Sequence, residues 1–290
     1  MGLILSDVDG TLVHYDRAGG DCSESSNDIV MLPPSSTGMR GCISRSTLVQ
    51  VQRLRTRGHN VVVVSGMRLP TFLKRLPFLP IADGYAVENG GRLFWNRAGN
   101  GEPASLEEDM QWREQHTGAG PSGQDDVAPD ARVGALWDVY RQCLRDGFTC
   151  DASGYTTLVR VKDSASDGNG GQRLAQLLAH LPAGLTSAFN LGCADIFPST
   201  SGKARVGAYI AKFYGVRLDD PRVVFLCDDD NDIELARCVG KAFVVTFTSP
   251  SMAEAVEMAA GSFVTPPPGA TGTTATEWTL AAVEKHLDST

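Results

Sequence analysis

Apolar positions along this chain occur in two kinds of pattern. Short unbroken runs stand at Leu3-Ile4-Leu5, Val61-Val62-Val63-Val64, Val223-Val224-Phe225-Leu226 and Phe243-Val244-Val245. None alternates with polar residues, the mark of strands covered on both faces. Between them, apolar residues recur three or four apart: Leu48, Val51 and Leu54; Val206, Ile210 and Phe213; Ile233, Ala236 and Val239. That spacing predicts helices with one apolar face. Ser44 is placed to cap the first, and Gly58, Gly215 and Gly240 to stop the three. A helix around Leu69 to Leu76 precedes Tyr85-Ala86-Val87, a Gly-rich turn, and Arg92-Leu93-Phe94-Trp95, read as a strand, turn and returning strand. A helix near Met252 to Ala259, the strand Phe263-Val264 and a helix around Trp278 complete the C-terminal part. Strands separated by helices of this length predict a parallel, doubly wound α/β sheet.

Two stretches break the pattern. Residues 15–41 are rich in Gly, Ser, Asp and Pro and are read as one long mobile loop in the first strand-to-helix connection. Residues 97–130 are again Gly-, Pro- and acid-rich, with a polar helix expected near Leu106 to Gln115. Order returns between 131 and 197 as a twofold helix-strand-strand repeat. A helix over Val133 to Arg145 presents Val133, Leu136, Trp137, Tyr140 and Leu144, and strands follow at Phe148–Cys150 and Thr157–Val161. A helix over Arg173 to Leu181 leads to strands at Leu185–Phe189 and Ala194–Phe197. The repeat predicts a small antiparallel sheet with two helices on one face and the other face open. The expected organisation is a discontinuous core, residues 1–97 and 198–290, with residues 98–197 inserted as a second, α+β lobe.

Composition narrows the function classes. The chain has 290 residues, 42% hydrophobic and 21% charged, ordinary for a globular protein with room for two lobes. A formal charge of −8 argues against a broad nucleic-acid or anionic-membrane surface. A phosphorylated substrate stays compatible, its charge met locally by a cation and a few Lys or Arg. The seven Cys are scattered without a CxxC pair, and are read as reduced thiols of an intracellular, cytoplasmic protein. No apolar segment approaches membrane-spanning length, and the first strand begins at Leu3, leaving no room for a targeting segment unless the chain is already trimmed.

The candidate chemistry sits where apolar runs stop. Asp7 and Asp9, two residues apart and followed by Gly10-Thr11, leave the first strand at its carboxyl end, where open α/β sheets bind ligands. Alternation puts both carboxylates on one side of the chain, so a metal or a shared proton is expected. Ser65-Gly66 ends the second run and Asp228 to Asp232 follows the third, while Lys203 opens a helix. Hard oxygen ligands in this number suit Mg²⁺, and Lys with a Ser-Gly amide suits phosphate. One carboxylate could attack phosphorus while another handles protons. An EF-hand reading of Asp228 to Asp232 fails, since Ile233 stands where Gly is needed and Val239 where Glu is needed.

Together these residues resemble the haloacid dehalogenase (HAD) superfamily of phosphatases. Asp7-Val8-Asp9-Gly10-Thr11 is similar to its first signature, Ser65 to the second, Lys203 to the third, and Asp228-x-x-Asn231-Asp232 to the fourth. The resemblance implies a Rossmann-like core with an inserted α+β cap. The insertion after the second signature and Glu88-Asn89-Gly90-Gly91 point to the large-cap branch with sucrose-phosphate, trehalose-phosphate and Cof-type phosphatases. It implies a Mg²⁺-dependent hydrolase of a small phosphorylated metabolite, a sugar phosphate in that branch, with no nucleic-acid or membrane partner. Asp7 would be the nucleophile and Asp9 the general acid and base. Ser65, Gly66, Lys203 and Asn231 would hold phosphate, and Asp7, Asp9, Asp228 and Asp232 the metal.

Three departures stand out: Cys227 where Gly is common, Met67 before Arg68, and the long 15–41 stretch. Asp229 and Asp230 are read as solvated charges favoured by the helix dipole, His14 as an exposed loop histidine and Cys227 as packing. Glu88-Asn89 is read equally as a hairpin turn or a substrate contact. The rivals are a phosphomutase on the same core and a catalytically idle ligand-binding or regulatory protein.

Overall fold

The computed structural model describes residues 1–15, 28–35, 38–97, 105–163, 170–190, 193–259 and 261–290. At its centre β1 (Leu3–Ser6) lies between β5 (Asn60–Val64) and β13 (Val223–Cys227), parallel to both. The sheet continues outward on one side through β14 (Lys241–Val244) and β15 (Phe263–Val264), also parallel. On the other side come β6 (Gly84–Val87), parallel to β5, then β7 (Arg92–Arg97) and β8 (Ser105–Glu108), each antiparallel to its neighbour. The eight-stranded order is β15-β14-β13-β1-β5-β6-β7-β8. The chain winds one way from β1 to β6 and the other way from β13 to β15, so the winding reverses at β1/β13, where such sheets open a crevice.

The unbroken apolar runs are explained by helices on both faces. Ile4, Val61, Val63, Val224 and Leu226 pack on one side against Val51 and Leu54 of α1 (Arg45–Thr56), Phe72 of α2 (Leu69–Arg75) and Leu280 and Val283 of α9 (Gly272–Asp288). Leu3, Leu5, Val62, Val64, Val223 and Phe225 pack on the other against Val206 and Ile210 of α6 (Lys203–Phe213), Leu235 of α7 (Ile233–Cys238) and Met252 of α8 (Pro250–Met258). Successive side chains thus feed opposite cores, and each fully buried Val or Leu contributes about 1.5–3 kcal/mol. Ser44 caps α1 as expected, accepting from Thr47 N at 2.9 Å.

The middle of the chain forms a separate sheet, in the order β11-β12-β10-β9. Its strands are β9 (Thr149–Asp151), β10 (Val159–Lys162), β11 (Leu185–Asn190) and β12 (Cys193–Pro198), paired antiparallel. Val159, Val161, Ala194 and Ile196 share one core with Leu136, Trp137 and Cys143 of α4 (Ala135–Arg145) and Leu174 of α5 (Gly170–Ala179). Arg160 and Asp195, cross-strand partners in register, therefore lie on the helix-free face.

Several expectations are corrected. The stretch 15–41 is not simply loop. β2 (His14–Tyr15), β3 (Ile29–Met31) and β4 (Gly41–Ser44) form an antiparallel sheet in the order β2-β4-β3; the remaining expectation falls on residues 16–27 and 36–37, outside the described residues. The polar helix near Leu106 to Gln115 is instead β8 followed by the single turn α3 (Met110–Arg113), capped by Asp109. β8 carries the core sheet past residue 97, because Arg92 grips Glu108 through Nε–Oε1 at 2.7 Å and Nη2–Oε2 at 2.5 Å. The helix expected from Val133 begins instead at Ala135, leaving Val133 exposed before α4; on α4 Leu144 is exposed, and Val139 and Cys143 are buried. Cys42 is disulfide-bonded to a partner outside the described residues, which corrects the all-thiol reading. Among the described residues no helix is long and apolar enough to cross a membrane.

Core and insertion are joined at the β6–β7 turn. Glu88 and Asn89 take left-handed φ of 53° and 56°. That geometry sends the fully buried Glu88 carboxylate across to the insertion, where it accepts from Thr156 N and Thr157 N, both at 2.8 Å, and from Thr157 Oγ1 at 2.7 Å. Glu88 and Asn89 thus form the hairpin turn between β6 and β7, and the Glu88 carboxylate also acts as a joint to the insertion. Glu88→Ala strands two N–H donors, each costing roughly 1–3 kcal/mol when left unpaired in the interior. The expected result is a urea midpoint lowered accordingly with near-normal secondary structure by circular dichroism. An unchanged midpoint would count against the joint.

Candidate active site

The site is built at the carboxyl ends of β1, β5 and β13, beside the first turn of α6. Just past β1, Asp7 N donates to Leu226 O at 2.9 Å, so its side chain leaves the sheet still in register with β13. The next residues turn sharply: Leu12 N and Val13 N both donate to Val8 O, and Gly10 N donates to Val13 O at 2.7 Å. Gly10 has φ +89°, and a Cβ there would stand 2.0 Å from Asp228 Oδ2. Gly10 is therefore needed both for its backbone and for the space its missing side chain leaves to Asp228. Thr11 Oγ1 donates to Asp228 Oδ1 at 3.0 Å, fixing that carboxylate.

Lys203 is the first residue of α6 and is 3% exposed. Its Nζ lies 2.7 Å from Asp7 Oδ1 and 2.6 Å from Asp232 Oδ1. Asp232 ends a short 3-10 turn (Asp230–Asp232) and also accepts from Asp228 N at 3.2 Å. Burial and then neighbouring charge set the protonation preferences. The Asp7 carboxyl is pushed up to about 7, chiefly by burial, with Lys203 opposing and Asp232 adding. Asp228 is raised well above the usual carboxylate value by burial and by Asp7 and Asp232. Asp232 is raised by burial against the pull of Lys203. Burial disfavours the Lys203 ammonium, but Asp232 and Asp7 outweigh it and its pKa lies above the usual lysine value.

Asp7, Asp228 and Asp232 each offer a carboxylate oxygen, all within 4.8 Å of one another. Three buried carboxylates against one ammonium leave negative charge unmatched, and hard oxygen donors at this spacing fit a divalent cation such as Mg²⁺. The Asp9 carboxylate is not part of this trio. It turns aside to Tyr15 Oη and to Arg75 Nη1, the latter at 3.0 Å.

The other expected residues surround the same cavity of about 780 Å³. Ser65 and Gly66 line it, with Ser65 Oγ accepting from Met67 N at 3.1 Å; Asn231 lines it too. Tyr155 and Arg160 line it from the helix-free face of the inserted sheet. Arg160 is clamped by the buried Asp195 at 2.7 and 2.9 Å. The extra residue in the second signature places Arg68 at the interface, where Nη2 meets Asp151 Oδ2 at 2.7 Å and Nη1 donates to Ser153 O at 2.6 Å.

Some residues stand differently from the sequence reading. His14 is buried, its Nε2 2.7 Å from Thr276 Oγ1, so it ties β2 to α9. Asp230 is half-buried and accepts from Ser251 Oγ at 2.6 Å and from Ser249, so it is not simply solvated. Cys227 is fully buried in the packing of one core face, as read. Tyr15 and Arg75 carry no signal in the sequence that marks them as site residues. Tyr15 lay inside a stretch read as loop, and Arg75 beside Lys74 looks like a solvated helix end.

This arrangement has known counterparts in structure. The chain shares its fold with solved phosphatases of the HAD superfamily. The sucrose-phosphatase from Synechocystis sp. PCC6803, solved with sucrose and phosphate, superposes with TM-score 0.62 at 12% identity, covering 97% of each chain. The subclass IIB sugar phosphatase BT4131 gives 0.57 at 14% identity over 99% of both chains. The phosphatase BT1666 from Bacteroides thetaiotaomicron gives 0.53 at 15% identity, covering 99% of this chain and 95% of its own. No protein-family model matches the chain, and no curated protein matches it in sequence.

The role of Gly10 can be separated from backbone strain alone. Gly58 has the same φ of +89° but open space where a Cβ would go. Gly58→Ala is expected to cost only the left-handed penalty, about 1–2 kcal/mol. Gly10→Ala meets the Asp228 carboxylate as well and should cost more by urea denaturation. Equal costs would refute the close approach.

Proposed function

We propose that the protein is a Mg²⁺-dependent phosphomonoesterase acting through an aspartyl-phosphate on a small phosphorylated metabolite, a sugar phosphate being the favoured class. The observation that carries this reading is buried Lys203 held against Asp232 and against Asp7, which lines a cavity shared by the carboxyl ends of the core strands and by Tyr155 and Arg160 of the insertion. A buried lysine can neutralise phosphate oxygens while holding one carboxylate oxygen in place for attack. Under this reading residues 98–197, apart from the core strand β8, form the cap, and residues 1–97 and 198–290 the core.

Asp7 attacks phosphorus as the bond to the leaving oxygen breaks, and Asp9 gives that oxygen its proton, releasing the alcohol. Water then attacks the aspartyl-phosphate, Asp9 takes the water's proton, and phosphate leaves with the Asp7 carboxylate restored. Lys203 and Ser65 hold the phosphate oxygens, with Gly66 allowing close approach and Asn231 at the rim. Asp7, Asp228 and Asp232 would hold Mg²⁺, with the Asp9 residue contributing through its main-chain carbonyl; the ion supplies charge neutralisation at phosphate. Tyr155 and Arg160 face the leaving group from the cap, where a phenol ring and a guanidinium already neutralised by Asp195 suit hydroxyl-bearing substrates.

Two measurements test this. Saturating Mg²⁺ should raise the melting temperature, since ligand at 100 times its dissociation constant stabilises by about 2.7 kcal/mol. Asp228→Asn should remove most of that gain, and excess chelator should abolish phosphate release. Full turnover in chelator would refute the metal assignment. Second, Asp7→Asn should lose all activity. Asp9→Asn should still transfer phosphoryl from an aryl phosphate with an acidic leaving group and then stall, because general acid–base help is worth about 10²–10⁴-fold. A burst near one equivalent of aryl alcohol with the label on Asp7 is expected, and steady turnover without a burst would contradict the assigned roles.

A further inference from the structure

Arg75 is the most deeply buried arginine at the site, at 1% exposed, and it has no part in the two steps of phosphoryl transfer. It ends α2 and points back towards β1. Nη1 lies 3.0 Å from Asp9 Oδ1 and 2.8 Å from Tyr15 Oη, and Nε lies 3.2 Å from Pro33 O. Tyr15 Oη donates to the same Asp9 Oδ1. The Tyr15 ring lies under the guanidinium, 5.7 Å from centroid to Cζ. Asp9 is the ion-pair partner of Arg75 among the described residues.

Both donors converge on one oxygen of Asp9. Oδ1 is held from two sides, whereas Oδ2 receives no hydrogen bond among the described residues, and the Asp9 side chain, 38% exposed, lines the cavity. A carboxyl fixed through one oxygen presents the other in a set direction, which a proton donor and acceptor requires. A guanidinium placed only to bind the segment 28–41 would be satisfied by carbonyls such as Pro33 O. Its burial against Asp9 instead costs desolvation unless that carboxylate stays in place.

We propose that Arg75 and Tyr15 are positioning residues that fix Asp9 through Oδ1 and leave Oδ2 to carry protons. The strand pair β2–β4 thereby belongs to the catalytic apparatus, since Tyr15 is part of β2. The inference rests on the proposed role of Asp9 as proton donor and acceptor.

The test uses Arg75→Met, Arg75→Lys and Tyr15→Phe in the full chain with Mg²⁺. Substrates are an aryl phosphate with an acidic leaving group and an alkyl phosphate, and wild type and Asp9→Asn serve as references. Arg75→Met is expected to lower kcat by about 10²-fold or more on the alkyl phosphate with KM changed less than about threefold, as befits loss of acid–base help. With the aryl phosphate it should show a burst near one equivalent, like Asp9→Asn. Arg75→Lys should recover about tenfold of the lost kcat, because an ammonium can still bond Oδ1 without making the other bonds. Tyr15→Phe should fall about tenfold, the scale of one hydrogen bond to a charged group. A merely structural arginine would reduce burst amplitude and midpoint together and leave kcat per active site unchanged; that result overturns the inference. Should Arg75→Met fail to fold, Tyr15→Phe decides: wild-type kcat on the alkyl phosphate overturns it and the tenfold loss supports it. If wild type releases no phosphate, or Asp9→Asn behaves as wild type, the functional reading fails and this inference with it; if both references behave as proposed, only the Arg75 and Tyr15 results bear on it.

Discussion

An ammonium without water is costly, and at the first turn of a helix it also opposes the helix dipole. Lys203 carries both penalties, and the Asp7 and Asp232 carboxylates, at 2.7 and 2.6 Å, offset them. Much of the structure follows from keeping those three groups together. Asp7 must leave β1 beside β13, Asp232 must turn back beneath Asp228, and α6 must begin where Lys203 can reach both. The reversal of winding between β1 and β13 provides the opening, because no connection crosses it there. Glycine at position 10 then lets the chain bend past Asp228 without a side chain in the way.

The inserted sheet is organised by the same economy of charge. Its helices cover one face, so the uncovered face must either meet water or meet the core. Arg160 is acceptable there because Asp195 neutralises it, and Arg68 because Asp151 does. At the base, Glu88 reaches Thr156 and Thr157, while Arg92 spans Glu108 and Asp125. Of these residues Arg160 and Arg68 line the cavity, each with its charge already paired.

How much of this could be read from the chain depended on the distance between partners. The central strands were legible because burial on both faces leaves a local trace, the unbroken Val and Leu runs. The trio Asp7, Asp228 and Asp232 and the position of Lys203 were legible because each stands where such a run or a helix changes. The direction of the Asp9 side chain was not, since Asp7 and Asp9 look alike until Arg75 and Tyr15 claim one of them. His14 looked exposed because its partner, Thr276, lies 262 residues away. Helical periodicity misplaced Leu144 because the α4 stripe is rotated towards Val139 and Cys143, and Val133 because α4 starts only after Gly134. Polar spacing between 105 and 108 concealed β8, an edge strand held by the Arg92–Glu108 grip rather than by apolar alternation.

The central position of β1 has a consequence for biosynthesis. β5 follows early in the chain and can pair with β1 soon after both emerge from the ribosome. The strand on the other side, β13, is made only after the whole inserted sheet. Until then β1 has one open edge in the middle of the future sheet, and Asp7 stands apart from Lys203, Asp228 and Asp232. An unpaired apolar edge is where nascent chains associate wrongly. The inserted sheet is therefore best completed as an independent unit, with its own antiparallel pairing and core, while the larger sheet waits for its second half. The last strands to arrive also bring Asp228 and Asp232, so the buried carboxylates are not forced together before the chain can hold them.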